Sequence, residues 1–499
     1  MTQRHAAHSH HGHAHTAHAT GVPDITLAAA SSVTAGASVG SATVGETLDR
    51  LKRAGKTSGQ RILLKGGMVL SMDPAVGDFA RGDVLIEGKK IVAVGPNLNA
   101  SSAVVVDVAD KIVMPGFVDT HHHQYETILR SILADGNLGL YDDPENNYIS
   151  IIQSLFTPLY RPEDVYISEL VSSLSQISAG VTTTTDTSQI SHTPEHNDAS
   201  IEALKESGHR VVYTYSPGMG PVTQYPHDIE RIKARYFSST DQLLTLVFNA
   251  QPSLDDWKLA KRLQTPLICH IVGTRFGDLE EMGKAGLMGP DCTYIHCTNL
   301  NENTWQMIAD TGGSISIAPA IEMQMRHGFP PFQKAIDRGI PLALSADVEC
   351  NMTADFFTIM RSAFTIQRAQ INERAIKGEA NLPKLFGSRD VIELATMGGA
   401  RASHIDGKVG SLTPGKEADI IVLDTNRINV FPLNNVPGTV VTLMDTSNVE
   451  HVFIAGKVVK WAGQLVDVDL PRLRRLIDKS RDEVLALAKF PANLFGTCV

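Results

Sequence analysis

The chain has 499 residues, with 44 Lys and Arg against 54 Asp and Glu, a formal net charge of -10, 42% hydrophobic and 20% charged residues. This exceeds one ordinary domain and has the balance of a globular chain with ample core, and its negative charge argues against a nucleic-acid or anionic-membrane binder. Five Cys, at 269, 292, 297, 350 and 498, include no close CxxC pair. They give no disulfide framework and suit a reducing compartment.

Seven of the 19 His fall within the first 18 residues. An Ala, Ser, Thr and Gly stretch follows, so residues 1–58 read as a disordered His-rich arm that buries too little apolar surface to offset chain entropy. Residues 25–45 carry no charge but few large apolar side chains, too few for a membrane span. The preceding segment is His-rich rather than Lys- and Arg-rich, a poor match to a secretory signal. A cytoplasmic location is expected.

Short β runs begin after residue 60, at 62–64, 68–70, 84–86 and 91–94, separated by Gly, Asp and Asn. The same pattern returns at 418–423, 440–443, 451–454 and 458–459. Each block alone has few strands. Residues 59–115 and 405–470 therefore read as one small β-sandwich domain built from both flanks.

Between them, strands and amphipathic stretches alternate. Strand candidates lie at 116–119, 181–185, 210–215, 244–248, 266–270, 293–296, 314–318 and 341–345. Helical stretches lie at 201–207, 257–263, 304–309 and 356–368. Eight such units over residues 116–404 predict an α/β fold, a (β/α)8 TIM barrel. No Gly-rich phosphate loop follows the first strand, which counts against a doubly wound sheet. Residues 471–499 read as a C-terminal helix and tail.

The first barrel strand runs into Asp119-Thr120-His121-His122-His123. Residues i and i+2 share a strand face, so His121 and His123 point together into the barrel mouth and His122 points away. Paired imidazoles suit a divalent transition metal. Three later strand ends add His270, His296 and Asp347. A barrel enzyme draws its site from the C-terminal ends of several strands, so dispersed ligands are expected.

With these residues the chain resembles the amidohydrolase superfamily, in its cytosine-deaminase-like and triazine-hydrolase-like branch. The likeness spans residues 61–470. It includes the Pro-Gly-Phe-Val-Asp-Thr-His-His-His entry and the Leu412-Thr413-Pro414-Gly415-Lys416-Glu417-Ala418-Asp419 return. It implies that His121, His123, His270 and Asp347 bind one divalent ion, zinc or iron. His296 contacts the substrate or the attacking water. It also implies a small-molecule substrate and a homo-oligomer. No Lys at the second or fourth strand end suggests a bridging carboxylated lysine, so the site is expected to be mononuclear.

The implied reaction is hydrolysis of a non-peptide C–N bond in an amide, cyclic amidine or amino-heterocycle. A metal lowers the pKa of water, Asp347 moves the proton and His296 stabilises developing charge. One departure stands out: related deaminases carry Glu three residues after the fifth-strand His, where this chain has Gly273. Glu322, His327 and Glu349 are the candidate substitutes, with an exposed or structural role the alternative for each. Hydrolytic dehalogenation of a heteroaromatic ring is the alternative reaction, since halide leaves unprotonated. A metal-binding relative without turnover is the third reading. Asp119 either orients a ligand or has a structural role. The segment 137–159, rich in Tyr, Asp, Asn and Pro, reads as a lid loop in which Tyr141 and Tyr148 contact substrate or pack the lid.

Overall fold

The computed structural model describes residues 43–54, 59–139, 147–219, 223–273, 279–491 and 495. Residues 1–42 of the His-rich arm, and Tyr141, lie outside the described residues.

Both flanks enter one hydrogen-bonded sheet of nine strands. The first flank supplies β1 (Arg61–Val69), β2 (Phe79–Glu87), β3 (Lys90–Gly95), β4 (Val104–Asp107) and β5 (Lys111–Pro115). The expected strands at 62–64 and 68–70 are the two halves of β1. Gly66, at φ +81°, sits at an irregularity between Leu64 and Gly67 that bends one strand, a conformation Gly takes without a Cβ penalty. β1 pairs antiparallel with β2 and parallel with both β4 and β5. β1 thus branches the sheet between β4 and β5, and both flanks share one apolar core.

The barrel follows in β6 (Phe117–His122), β7 (Val181–Ser188), β8 (Arg210–Tyr215), β9 (Leu244–Asn249), β10 (Leu267–Val272), β11 (Cys292–Thr298), β12 (Ser314–Ile317) and β13 (Leu342–Leu344). These eight strands are joined in sequence order, every neighbour parallel. The first and last strand ends meet where the His123 amide donates to the Asp347 carbonyl at 2.8 Å and the Asp347 amide donates to the His121 carbonyl at 2.9 Å. Val118, Val212, Val247, Ile268 and Ile295 fill the barrel interior with Ala400, Ile405 and Val409. The intervening helices start on side-chain caps where the sequence offers them. Ser253 accepts from the Asp256 amide and Asn301 from the Thr304 amide, which satisfies amides that have no partner within the helix.

The chain then returns to the sheet as β14 (Ile420–Asp424), β15 (Val449–Ile454), β16 (Lys457–Trp461) and β17 (Gln464–Leu465). β14 runs antiparallel to β5 and so joins the flanks. The expected strand at 440–443 is instead a helix, Val436–Thr442. Asn435 caps it by accepting from the Gly438 amide, and Pro437 occupies its first turn, a helix-start signal that outweighs the β-branched run.

A second difference concerns the arm. Residues Val44–Ala54 form a helix. Leu51 and Ala54 are buried against Ile62, Val104 and Trp461 of the sheet, and the Trp461 indole donates to the Val44 carbonyl at 3.0 Å. Leu48, Leu51 and Ala54 recur at helical spacing, which composition alone had concealed. The C-terminal helix, Leu470–Ala488, packs on the barrel helix Pro162–Ser178, where the Ser480 hydroxyl donates to Asp164. The segment expected as a lid loop contains two helical turns, Ile149–Phe156 and Thr157–Leu159. Among the described residues no helix is long and apolar enough to cross a membrane.

A buried ion cluster ties barrel to sheet. Arg210, 2% exposed at the start of β8, donates to both oxygens of Asp419 at 2.7 and 2.9 Å and to Glu417 at 2.7 Å. These acids belong to the Glu417-Ala418-Asp419 return. Removing one partner of a buried pair leaves an uncompensated charge, at about 3–5 kcal/mol. Arg210→Ala should therefore destabilise the protein by about that amount in denaturant titration, whereas a loss under about 1 kcal/mol, the range of exposed pairs, would show that the cluster is not a staple.

Candidate metal centre

Four strand ends converge on one point. His121 lies edge-on to both His123 and His270, at 4.7 Å between ring centroids in each case, and His296 is 5.6 Å from His121. The His121 Nε2 is 3.1 Å from the Asp347 carboxylate, the His123 Nε2 3.6 Å and the His296 Nε2 3.7 Å. Two groups have ligand atoms close enough to hold one ion: His121, His123 and His270, and His121, His296 and Asp347. They share His121, as expected of a single centre.

Strand alternation accounts for only part of this. Ile268 and His270 share a face. From Val118, strict alternation would bring Thr120 inward, but an irregularity between Asp119 and His122 shifts the register. Thr120 instead bonds Ser316 and the Leu344 carbonyl at the closing seam. His296 follows the interior residue Ile295 and would point outward. Positive φ at His296 (+70°) and Cys297 (+56°) turns the strand end, and Asp347 adopts +66°. His and Asp reach this region more readily than most residues, and such conformations cluster at functional sites.

The residues fit a divalent ion. The His121 Nδ1 contacts the Thr187 hydroxyl at 2.8 Å, and the His123 Nδ1 donates to the Thr187 carbonyl at 3.1 Å. These contacts orient both rings and present Nε2 to the centre, the supporting bond that metal-binding imidazoles usually make. Burial pushes His121, His123 and His270 below the ordinary histidine range, so they are neutral, the form that ligates. Burial would raise Asp347, but His296 and His121 overcome it and hold the carboxyl well below its usual range. His296 goes the other way: burial opposes its charge, yet Asp347 and Glu322 raise it.

His122 points away, as expected, toward Ser172 at 3.2 Å and Glu349 at 3.8 Å. Asp119 lies beneath the ligands. It accepts from the His121 and Ala346 amides at 3.2 and 3.1 Å and from Gln176 at 2.8 Å, so it holds ligand backbone rather than a ligand ring.

A cavity of about 730 Å³ opens onto the cluster, with His123, His270, His296, His327 and Asp347 in its wall. His327 is 2% exposed and neither ring nitrogen has a hydrogen-bond partner among the described residues. Glu322 does not line the cavity. It stands behind His296, with Oε1 3.2 Å from the His296 Nδ1 and accepting from the Ala318 amide at 3.0 Å. Glu322, a candidate for substitute acid and substrate contact from sequence, is thus placed in support of His296. Glu349 is held by Arg130 at 2.7 and 3.0 Å and by Thr127 at 3.0 Å. Burial opposes its charge, but Arg130 keeps it ionised, which removes it as an acid. Gly273, at φ +56°, has open space on its side-chain side, the nearest atom to an added Cβ being the Asn299 Cβ at 3.9 Å.

The amidohydrolase family model matches residues 268–459, from β10 to β16. Over that span the chain is similar to the amidohydrolase family. It is 28% identical over 467 residues to the 5-methylthioadenosine/S-adenosylhomocysteine deaminase of Syntrophobacter fumaroxidans, covering 87% of this chain and 98% of that enzyme. It is 25% identical over 449 residues to the 5'-deoxyadenosine deaminase of Methanosarcina mazei, covering 85% and 98%. In fold it resembles a zinc-bound adenosine deaminase from Xanthomonas campestris, with TM-score 0.74, 21% identity and coverage of 86% and 99%. It also resembles a mutant atrazine chlorohydrolase from Arthrobacter aurescens complexed with zinc and atraton, with TM-score 0.73, 18% identity and coverage of 84% and 100%.

Sequence reading missed Glu126, Tyr148's partner, and Thr187. Thr187 carries a signal in retrospect: it lies at the C-terminal end of the strand beside β6. Two outcomes follow. Protein lacking residues 1–42, which removes most of the His tract's competing sites, should bind about one metal equivalent per chain. His121→Ala and Asp347→Ala should each lose it in elemental analysis, and two tightly held equivalents would refute a single centre. Glu322→Gln keeps an oxygen facing His296, so it should cost about tenfold in kcat, whereas His296→Ala should cost about 10²-fold or more. An equal loss in both would place Glu322 directly on the reacting atoms.

Proposed function

We propose that this chain is a metal-dependent hydrolase of a non-peptide C–N bond in an amide, cyclic amidine or amino-heterocycle. The observation that carries the reading is the set of three neutral imidazoles and one ionised carboxylate at barrel strand ends, open to the cavity. The family match and the deaminases among its relatives support it. His121, His123, His270 and Asp347 would hold the ion, with zinc the favoured metal, as in two of the structural relatives. A divalent ion in this setting makes water a nucleophile at neutral pH.

The chain's own residues do the rest. Asp347 is ionised and accepts the proton of the attacking water, then delivers it to the leaving group. His296, held by Glu322, donates a hydrogen bond to the charge that develops on the attacked group. His327 offers the substrate a neutral imidazole, because burial drives its pKa down to about 3. The reducing-compartment reading of the cysteines fits a cytoplasmic location, and the family likeness a homo-oligomer acting on a small molecule; fractionation and sedimentation would check them.

Gly273 favours a second reading. It offers no proton where related deaminases have a Glu, and chloride leaves without one. A panel of 5-methylthioadenosine, S-adenosylhomocysteine, 5'-deoxyadenosine and atrazine separates the two when ammonia and chloride release are both followed. Ammonia release is the expected outcome, chloride release alone establishes the second reading, and neither, in zinc-loaded protein, overturns both. Gly273→Glu should cost about 1–2 kcal/mol of stability from its left-handed backbone and should narrow the substrate range. Newly acquired cytosine deamination would show instead that the missing acid alone limits this site.

A further inference from the structure

The cavity wall also carries a hydrogen-bonded chain that the mechanism above does not use. Glu126 follows His123 by three residues, in the turn Gln124–Leu129, and is fully buried. Its Oε1 accepts from the Tyr148 hydroxyl at 2.6 Å. Its Oε2 has no oxygen or nitrogen partner among the described residues. Tyr148 in turn accepts from the Gln153 amide at 2.9 Å. Tyr148, Gln153 and Gln189 all line the cavity, together with His123 and His270.

Hydrogen counting shows that this chain is not closed. The Gln153 Nε2 lies within bonding distance of three acceptors, the Tyr125 hydroxyl (2.9 Å), the Tyr148 hydroxyl (2.9 Å) and the Gln189 Oε1 (3.1 Å). It carries two hydrogens, so one acceptor is always unserved. The Tyr148 oxygen, bonded to Glu126 and Gln153, keeps one acceptor position. A buried, incompletely satisfied network costs free energy unless something completes it.

We propose that Tyr148 is the hydrogen-bonding contact for the part of the substrate lying away from the metal ligands, and that Glu126 is the positioning residue that sets its hydroxyl. The proposal rests on the hydrolytic reading of the site and extends it to the substrate's chemistry: the group bound is an uncharged hydroxyl, amide or amine. Burial raises the Glu126 carboxyl to about 8, so it is protonated at neutral pH and the arm presents no net charge. A protonated Glu126 also lets its 2.6 Å bond to Tyr148 run in either direction. The Tyr148 hydroxyl can then either donate to the substrate or accept from it.

The test uses zinc-loaded full-length protein and the four-compound panel above. Tyr148→Phe should lower kcat/KM by about tenfold, the order expected for one lost hydrogen bond, with metal content unchanged and the protein still folded. Glu126→Gln keeps an acceptor for Tyr148 and should stay within about threefold of the parent protein. Glu126→Leu should reproduce the Tyr148→Phe loss. Tyr148→Phe equal to the parent protein on every compound overturns the proposal, as does Glu126→Gln as damaging as Glu126→Leu. If no protein turns over any compound, the hydrolytic reading falls by itself. Equilibrium binding of the same compounds then decides the contact: weaker binding by Tyr148→Phe supports it, and equal or absent binding overturns it.

Discussion

Barrel closure is the constraint on which everything else depends. The backbone bonds that join the first and last strands are made by His121, His123 and Asp347 themselves. His121 and Asp347 are 226 positions apart in sequence. Asp119 tightens the seam by accepting from the amides of both His121 and Ala346. The ligand cluster is therefore rigid to the extent that the barrel is shut. A carboxylate from the eighth strand can sit 3.1 Å from an imidazole of the first only because the sheet has curled through a full turn. Function at this site and stability of the closed sheet are the same geometric fact.

The electrostatics follow from that enclosure. Desolvation penalises charge on every buried imidazole, and only those facing a carboxylate keep a reason to be charged. Three candidate ligands, His121, His123 and His270, are driven neutral, while His296, between Asp347 and Glu322, is driven toward the cation. His122 sits one residue from two ligands yet belongs to a different environment. Burial takes it to about 4, and its neighbour Glu349 is committed to Arg130. One strand thus presents candidate ligands on one face and a structural contact on the other.

The sheet built from the flanks bears on the barrel through Arg210. A guanidinium at the start of β8 is buried at the end opposite the site, where Glu417 and Asp419, just before β14, meet it. The planar fork matches a carboxylate with two bonds, so the contact fixes orientation as well as distance. The return from barrel to sheet thereby secures the base of a barrel whose mouth carries the candidate site.

The sequence by itself determined the barrel, the identity of its eight strands, and the His and Asp residues at four strand ends. Those rest on local periodicity and residue chemistry, both readable along the chain. It did not determine the helix at Val44–Ala54 or the helix at Val436–Thr442, where docking and a cap overrode composition and β propensity. Nor did it determine Glu322's place behind His296, or the link from Glu126 through Tyr148 to the cavity. Register shifts and left-handed residues at the strand ends decided which way these side chains face. Burial then decided their charge. Both are consequences of closing the sheet, which brings together residues that no local pattern relates.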